Sequence, residues 1–227
     1  MTQPFHIIGL TGPKGSAKDT LAQLLRTHAG FYVCAFADRL RQEVCEAFRE
    51  EPILFNRRET KEHPLSALAL RRCSDDAFLL RMIDVLQERG KPVDLLAPRS
   101  PREIMQWWGT EYRRRNDPNY WTNALQNRIS RLLISGESSK IVVTDVRFDN
   151  EAQTIRLQDF GGTIWQVTRP GCGVPARSHV SEVDGSQFAP DYCISNSSDI
   201  RTLQEQVLGK WWAMDAGLES VIVSIAA

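Results

Sequence analysis

No apolar run in this 227-residue chain approaches the ~20 residues that a membrane-crossing helix needs, so no segment reads as a transmembrane span. Neither sign of charge is in excess, since 28 basic residues are matched by 28 acidic ones. That balance argues against a dedicated nucleic-acid binder, which carries a basic surplus, yet leaves room for local basic clusters such as Arg113-Arg114-Arg115. The five cysteines (Cys34, Cys45, Cys73, Cys172, Cys193) are odd in number and lack any C-x-x-C spacing, which excludes a disulfide framework and a zinc knuckle and points to a reducing compartment. Four scattered histidines (His6, His28, His63, His179) form no metal constellation, and no Ser/His/Asp or Cys/His set can be assembled. There is no internal repeat and no low-complexity tract. The N-terminal Met1-Thr2-Gln3-Pro4-Phe5-His6 lacks the basic-then-apolar layout of a secretory leader. A soluble, cytoplasmic protein is expected.

What the chain does have is an α/β rhythm. Phe5 to Leu10 is a short apolar run ending in Thr-Gly, as in a buried parallel strand. Leu21, Leu24 and Leu25 recur at helical spacing, Phe31 to Phe36 reads as a second strand, and Leu40, Val44 and Phe48 mark an amphipathic helix. Residues 51–100 are less regular and predict one helix from about Asp75 to Glu88. Two more helices are expected at about 101–114 and 119–135, separated by Asn116-Asp117-Pro118. The alternation then resumes with strands at Lys140–Val146, Thr163–Thr168 and Asp191–Ser195, and helices at Asn150–Phe160 and around Leu203, Val207 and Trp211. A last edge strand is expected at Val221–Ile225. Such alternation implies a central parallel sheet covered on both faces.

The first strand runs directly into Gly12-Pro-Lys-Gly-Ser-Ala-Lys18-Asp19-Thr20 and then a helix. Gly12 and Lys18 stand at the separation of the phosphate-binding P-loop, GxxxxGK[ST]. Backbone N–H groups of such a loop, with a helix N-terminus behind them, form an anion cradle, and Lys18 would reach the β- and γ-phosphates of a nucleoside triphosphate. Two residues depart from the pattern. Ala17 replaces the second glycine, which requires a helical rather than left-handed backbone there. Asp19 replaces the hydroxyl residue that holds Mg²⁺; it is itself a hard oxygen ligand, with Thr20 as the neighbouring hydroxyl. Lys14, Gly15 and Ser16 complete the loop.

Downstream, Arg102, Gln106, Gly109 and Arg113 are spaced by four, three and four, which on a regular helix places them on one face, with Ile104, Trp107 and Trp108 on the other. Guanidinium pairs on such a face suit phosphate, and a solvated surface is the plainer reading. The strand Ile141–Thr144 ends at Asp145-Val-Arg147, where α/β sheets gather their chemistry. Asp145 there suits a metal shell or the acceptor, Arg147 the transferring group, and an Arg147–Glu151 helix-surface ion pair is the alternative. Arg169 ends the next strand and opens the loop to Arg177, His179, Ser181 and Glu182, a candidate water-excluding lid or a plain surface loop. His179 with Ser181 and Glu182, and Asn196 with Ser197, suit ligand contact or helix capping. Trp121 suits base stacking or core packing.

Taken in order, Gly12–Thr20, Phe36-Ala-Asp38-Arg-Leu-Arg41, Arg102…Gln106-x-x-Gly109-Thr110-Glu111…Arg113…Trp121, Asp145-Val-Arg147-Phe-Asp-Asn-Glu151 and His179-Val-Ser-Glu182 resemble the deoxynucleoside monophosphate kinases of tailed bacteriophages. These are related more broadly to adenylate kinase-like P-loop enzymes. The resemblance implies one P-loop NTPase-type three-layer α/β domain, with a core of residues 1–50 and 140–227. A helical monophosphate-binding insertion would occupy about 51–135 and a lid about 170–187. It implies ATP over the P-loop with Asn196 on the adenine side, and Mg²⁺ near Asp19, Thr20 and Asp145. The acceptor would lie among Asp38, Arg41, Arg102, Gln106, Gly109, Thr110, Arg113, Trp121, Asp145, Arg147 and Glu151. Lys18, Arg113, Arg147 and Arg169 would carry catalysis. Arg41 stands where that family more often has lysine. A small-molecule nucleotide substrate and a homodimer are implied, with neither nucleic acid nor membrane as partner. Kinases of dephospho-coenzyme A or phosphomevalonate on the same scaffold, an ATPase coupled to a protein or DNA partner, and a non-catalytic nucleotide-binding module are the alternatives.

Overall fold

The computed structural model describes residues 5–57, 59–157, 161–172 and 188–217. Most of the expected lid, with Arg177, His179, Ser181 and Glu182, and the expected strand Val221–Ile225 lie outside them. The chain divides into two compact units, Met1–Ala35 with Gln126–Ala227, and Phe36–Leu125. The second unit begins at Phe36 and includes the second helix.

The first unit is built on a five-stranded sheet in the order β2-β3-β1-β4-β5, from β1 (His6–Thr11), β2 (Tyr32–Cys34), β3 (Lys140–Val143), β4 (Thr163–Thr168) and β5 (Tyr192–Ser195). Every pairing is parallel, as expected for strands joined by helical crossovers. β1 takes the centre because Ile7, Ile8 and Leu10 make it apolar on both faces. On one face Ile8, Leu10, Val142, Trp165, Val167 and Ile194 pack against Leu21 and Leu25 of α1 (Lys18–Ala29) and Leu203, Val207 and Trp211 of α8 (Ile200–Asp215). On the other, Val146, Ile164 and Ile155 of α7 (Asp149–Arg156) close over Gly9. The result is the expected three-layer α/β arrangement.

β3 leaves the ladder at Val143, three residues earlier than the apolar run suggests, but Thr144 N–H still donates to Cys34 O and Val146 N–H to Leu10 O, both at 3.0 Å. Those two bonds carry the chain out over the carboxyl edge of the sheet and set Asp145 and Arg147 there.

The second unit is helical. α2 (Phe36–Phe48) is followed by the short α3 (Pro52–Asn56) and by two 3₁₀ turns. α4 (Asp76–Glu88) is capped by Asp75, whose carboxylate accepts the Phe78 N–H at 2.8 Å, an interaction worth about 1 kcal/mol. α5 (Pro101–Gln106) starts on the Ser100 cap with proline at its first position. The chain then winds into a π-helix over Trp107–Arg114 and, after a turn, enters α6 (Tyr120–Ser135). The unit's core is a run of edge and tilted ring contacts through Phe48, Phe78, Trp108 and Tyr112.

Candidate active site

The P-loop occupies residues 12–18, between the end of β1 and the start of α1. Gly12 has φ 132°, and a Cβ there would fall 2.2 Å from the Val167 carbonyl oxygen, so only glycine lets the loop lie this close to β4. The Ser16 side chain is fully buried, and among the described residues its Oγ has no hydrogen-bond partner. A buried hydroxyl without a partner is costly unless a ligand supplies one. Lys18 folds over the loop, its Nζ donating to Gly12 O at 2.6 Å and Pro13 O at 2.8 Å. Burial first, and then the nearby Arg147 charge, draw its pKa down from 10.5 to about 8, against the pull of Asp19, Asp145 and Cys172. Two residues arrive from the ends of the neighbouring strands. Arg169, just past β4, donates through Nη1 to Gly15 O at 3.4 Å, and Asn196, just past β5, donates through Nδ2 to Ser16 O at 3.3 Å.

Ala17 overturns one expectation. It sits at φ 83°, ψ 28°, in the left-handed region, where a right-handed helical backbone was expected for an alanine. A Cβ in that region costs roughly 1–2 kcal/mol.

Asn196 leaves the capping of α8 to Asp199, whose carboxylate accepts the Thr202 N–H at 2.8 Å. Asp145 and Arg147 both act electrostatically on Lys18, so the β3 edge faces the loop. Glu151 is 3% exposed, and its Oε2 accepts the backbone N–H of Arg147 at 2.9 Å and of Phe148 at 3.2 Å. It shapes the turn that carries Arg147. Lys14, Asp19 and Thr20 are exposed at the loop and in the first turn of α1.

The loop's chemistry fits a polyphosphate: a lysine, an unsatisfied buried hydroxyl and a glycine backed against the sheet. Asp19, Thr20 and Asp145 are hard oxygen donors of the kind a divalent cation takes. Among the described residues no group of three or more His, Cys, Asp or Glu is placed to hold a metal alone.

In the second unit the expected common face of Arg102, Gln106, Gly109 and Arg113 does not form. On an α-helix Arg113 would point about 140° away from Trp108, five residues earlier. The π-helix bonds i to i+5 and brings the two together. Trp108 Nε1 and Arg113 Nε both donate to Glu43 Oε2 at 2.9 Å, and the Arg113 guanidinium lies 5.5 Å from the Trp108 ring centre. Gly109 is buried, with Leu40 Cδ2 3.3 Å from where its Cβ would be, and its carbonyl accepts the Trp121 Nε1–H at 3.0 Å. Trp121 is 5% exposed, so it supports this helix from within. Arg102 pairs with Glu62, while Gln106 and Thr110 are half-buried at the α-to-π junction.

Glu43 is the residue that sequence reasoning missed. It is 5% exposed and also accepts from Tyr120 Oη at 2.6 Å and Arg39 Nε at 3.0 Å. Burial opposes its ionisation, but hydrogen bonds from Tyr120 and Trp108 and the charge of Arg113 prevail and hold its pKa below the usual carboxylate value. Its only sequence signal was a charge beside Val44 on an amphipathic helix. Asp38 and Arg41 of α2 pair with each other at 2.5 Å and line a cleft of about 270 Å³ with Gln42, Cys45, Pro52 and Asn56.

A parallel sheet carrying a strand–glycine loop–helix cradle with a loop-embracing lysine defines a P-loop nucleotide-binding protein. The model of the deoxynucleotide monophosphate kinase family matches residues 84–207, more than half of the chain, and the protein belongs to that family. It is 27% identical over 212 residues to a protein of Acanthamoeba polyphaga mimivirus whose assigned name is that of a deoxynucleotide monophosphate kinase, a match covering 89% of this chain and 94% of the relative. By family it is a nucleotide kinase. No helix among the described residues is long and apolar enough to cross a membrane.

Proposed function

We propose that the protein transfers the γ-phosphoryl group of ATP to a deoxynucleoside 5′-monophosphate, giving the diphosphate. The observation that carries this reading is the P-loop cradle: Lys18 bonded to the loop carbonyls of Gly12 and Pro13, beside the buried Ser16 hydroxyl, which has no hydrogen-bond partner among the described residues. Family membership supports the nucleotide acceptor over dephospho-coenzyme A or phosphomevalonate.

In this reading the donor's phosphates displace the Gly12 and Pro13 carbonyls as partners of Lys18, and the loop N–H groups and Ser16 complete the grip. Arg147 and Arg169, delivered by the carboxyl ends of β3 and β4, offset charge on the transferring group. Asn196, already anchored to Ser16 O, lies on the nucleoside side of the donor. Mg²⁺, held through Asp19, Thr20 or Asp145, would neutralise charge on the donor phosphates. The helical unit binds the acceptor through Asp38, Arg41 and Arg113. An acceptor phosphate oxygen is already anionic at neutral pH, so no strong general base is needed, and catalysis is positioning plus charge stabilisation.

The test is direct. Purified protein with ATP, Mg²⁺ and each deoxynucleoside or ribonucleoside monophosphate in turn should yield a diphosphate with at least one deoxynucleotide. Lys18→Ala should remove most of that turnover while the circular dichroism spectrum stays unchanged. ATP consumption that ignores every acceptor would reject the assignment.

A further inference from the structure

We infer that Glu43 is the positioning residue of the acceptor site, its buried carboxylate holding Arg113 so that the two terminal guanidinium nitrogens face the phosphate of an incoming nucleoside monophosphate. This rests on the reading of the helical unit as the acceptor-binding one.

The geometry divides the guanidinium into two edges. Its Nε edge is taken by Glu43 Oε2 at 2.9 Å, and its plane lies among rings, 4.5 Å from the centre of Tyr112 and 5.0 Å from that of Tyr120. Among the described residues its terminal nitrogens make no hydrogen bond, Nη2 reaching Asp75 only at 4.0 Å. The Arg113 side chain is 26% exposed while Glu43 is 5% exposed, so the fixed edge is inside and the open edge outside. Two adjacent terminal nitrogens suit bidentate contact with a phosphate monoester.

Stability alone is a poor reason for this arrangement, because a buried ion pair is commonly matched by apolar residues of the same volume. A fully satisfied buried network, by contrast, rigidifies its members. Glu43 is so satisfied, with Trp108 and Arg113 on one oxygen and Tyr120 and Arg39 on the other. The π-helix adds to the case: the irregular winding brings Arg113 and Trp108 onto the same carboxylate oxygen, and such irregularities recur at functional sites.

The test compares Glu43→Gln, Tyr120→Phe and Arg113→Lys by full kinetics in both substrates and by thermal melting. Glu43→Gln turns an amide N–H toward Arg113 Nε in one rotamer and loses the charge in both. The acceptor kcat/KM should fall at least tenfold with the ATP KM within twofold. Tyr120→Phe removes one hydroxyl from Glu43 and keeps the ring, so it should lower acceptor kcat/KM a few-fold, again without moving the ATP KM; it decides the matter if Glu43→Gln does not fold. Glu43→Gln in the Arg113→Lys background should add little beyond Arg113→Lys alone. Unchanged acceptor kinetics in Glu43→Gln and Tyr120→Phe, or equal losses in both substrates tracking a lower Tm, would overturn the inference. Wild-type acceptor kinetics in Arg113→Lys would overturn it as well, by removing Arg113 from the acceptor site, and would leave the acceptor role of the unit to Asp38 and Arg41.

Discussion

Gly12 and Val167 lie so close that a single added Cβ would come 2.2 Å from the Val167 carbonyl oxygen. Backbone cannot yield there as a flexible side chain would. Gly12→Ala should therefore lift the P-loop off β4, costing about 2–4 kcal/mol through the clash and the φ of 132° together. Donor binding should be lost with it. Chemical denaturation and ATP titration on the same preparation would check this; a variant of wild-type stability that still binds ATP would contradict it.

Ala17 predicts the opposite sign. Its left-handed backbone, φ 83°, is one that glycine adopts without penalty. Ala17→Gly should raise the unfolding free energy by about 1 kcal/mol, less the entropy that glycine adds to the unfolded chain. A Tm that fell would mean that the loop gains from the methyl group's packing more than it loses in strain.

The Lys18 ammonium makes donor binding pH-dependent. Its pKa of about 8 in the free protein must rise when a polyanion replaces the two carbonyls. Well below pH 8 the charge is already present, and Lys18 adds no pH dependence to donor affinity. Above it, binding must take up a proton, so affinity for the donor should decline as pH rises. Calorimetric titrations at pH 8.5 in buffers of different ionisation heat should reveal proton uptake that is absent at pH 6.5. Buffer-independent heats at both values would refute the assignment.

Glu151 holds the turn that presents Arg147. Glu151→Ala leaves the Arg147 and Phe148 N–H groups without their acceptor, in a position only 3% exposed. A loss of about 1–3 kcal/mol is expected, with kcat falling more than the ATP KM changes. Glu151→Gln keeps an acceptor oxygen and should recover most of the stability.

The local features were legible in the sequence. Leu203, Val207 and Trp211 are the buried residues of α8, β4 has the predicted bounds, and Asp75 caps α4 at the expected end. The helix face drawn through Arg102, Gln106, Gly109 and Arg113 was not recoverable, because that reading assumes one winding throughout. The π-helix changes it after Gln106. Glu43 escaped for a related reason: Trp108, Arg113 and Tyr120, which make its burial tolerable, lie 65, 70 and 77 residues away.

From its sequence alone this chain was committed to alternating strands and helices and to a glycine-to-lysine loop after the opening strand, since both follow from periodicity and spacing within a few residues. The strand order, the left-handed turn at Ala17, the arrival of Arg169 and Asn196 on the loop, and the Glu43–Arg113 pair were settled only by tertiary structure. Those features depend on which distant groups end up sharing a water-poor environment, where a polar atom must find a partner or be paid for in stability.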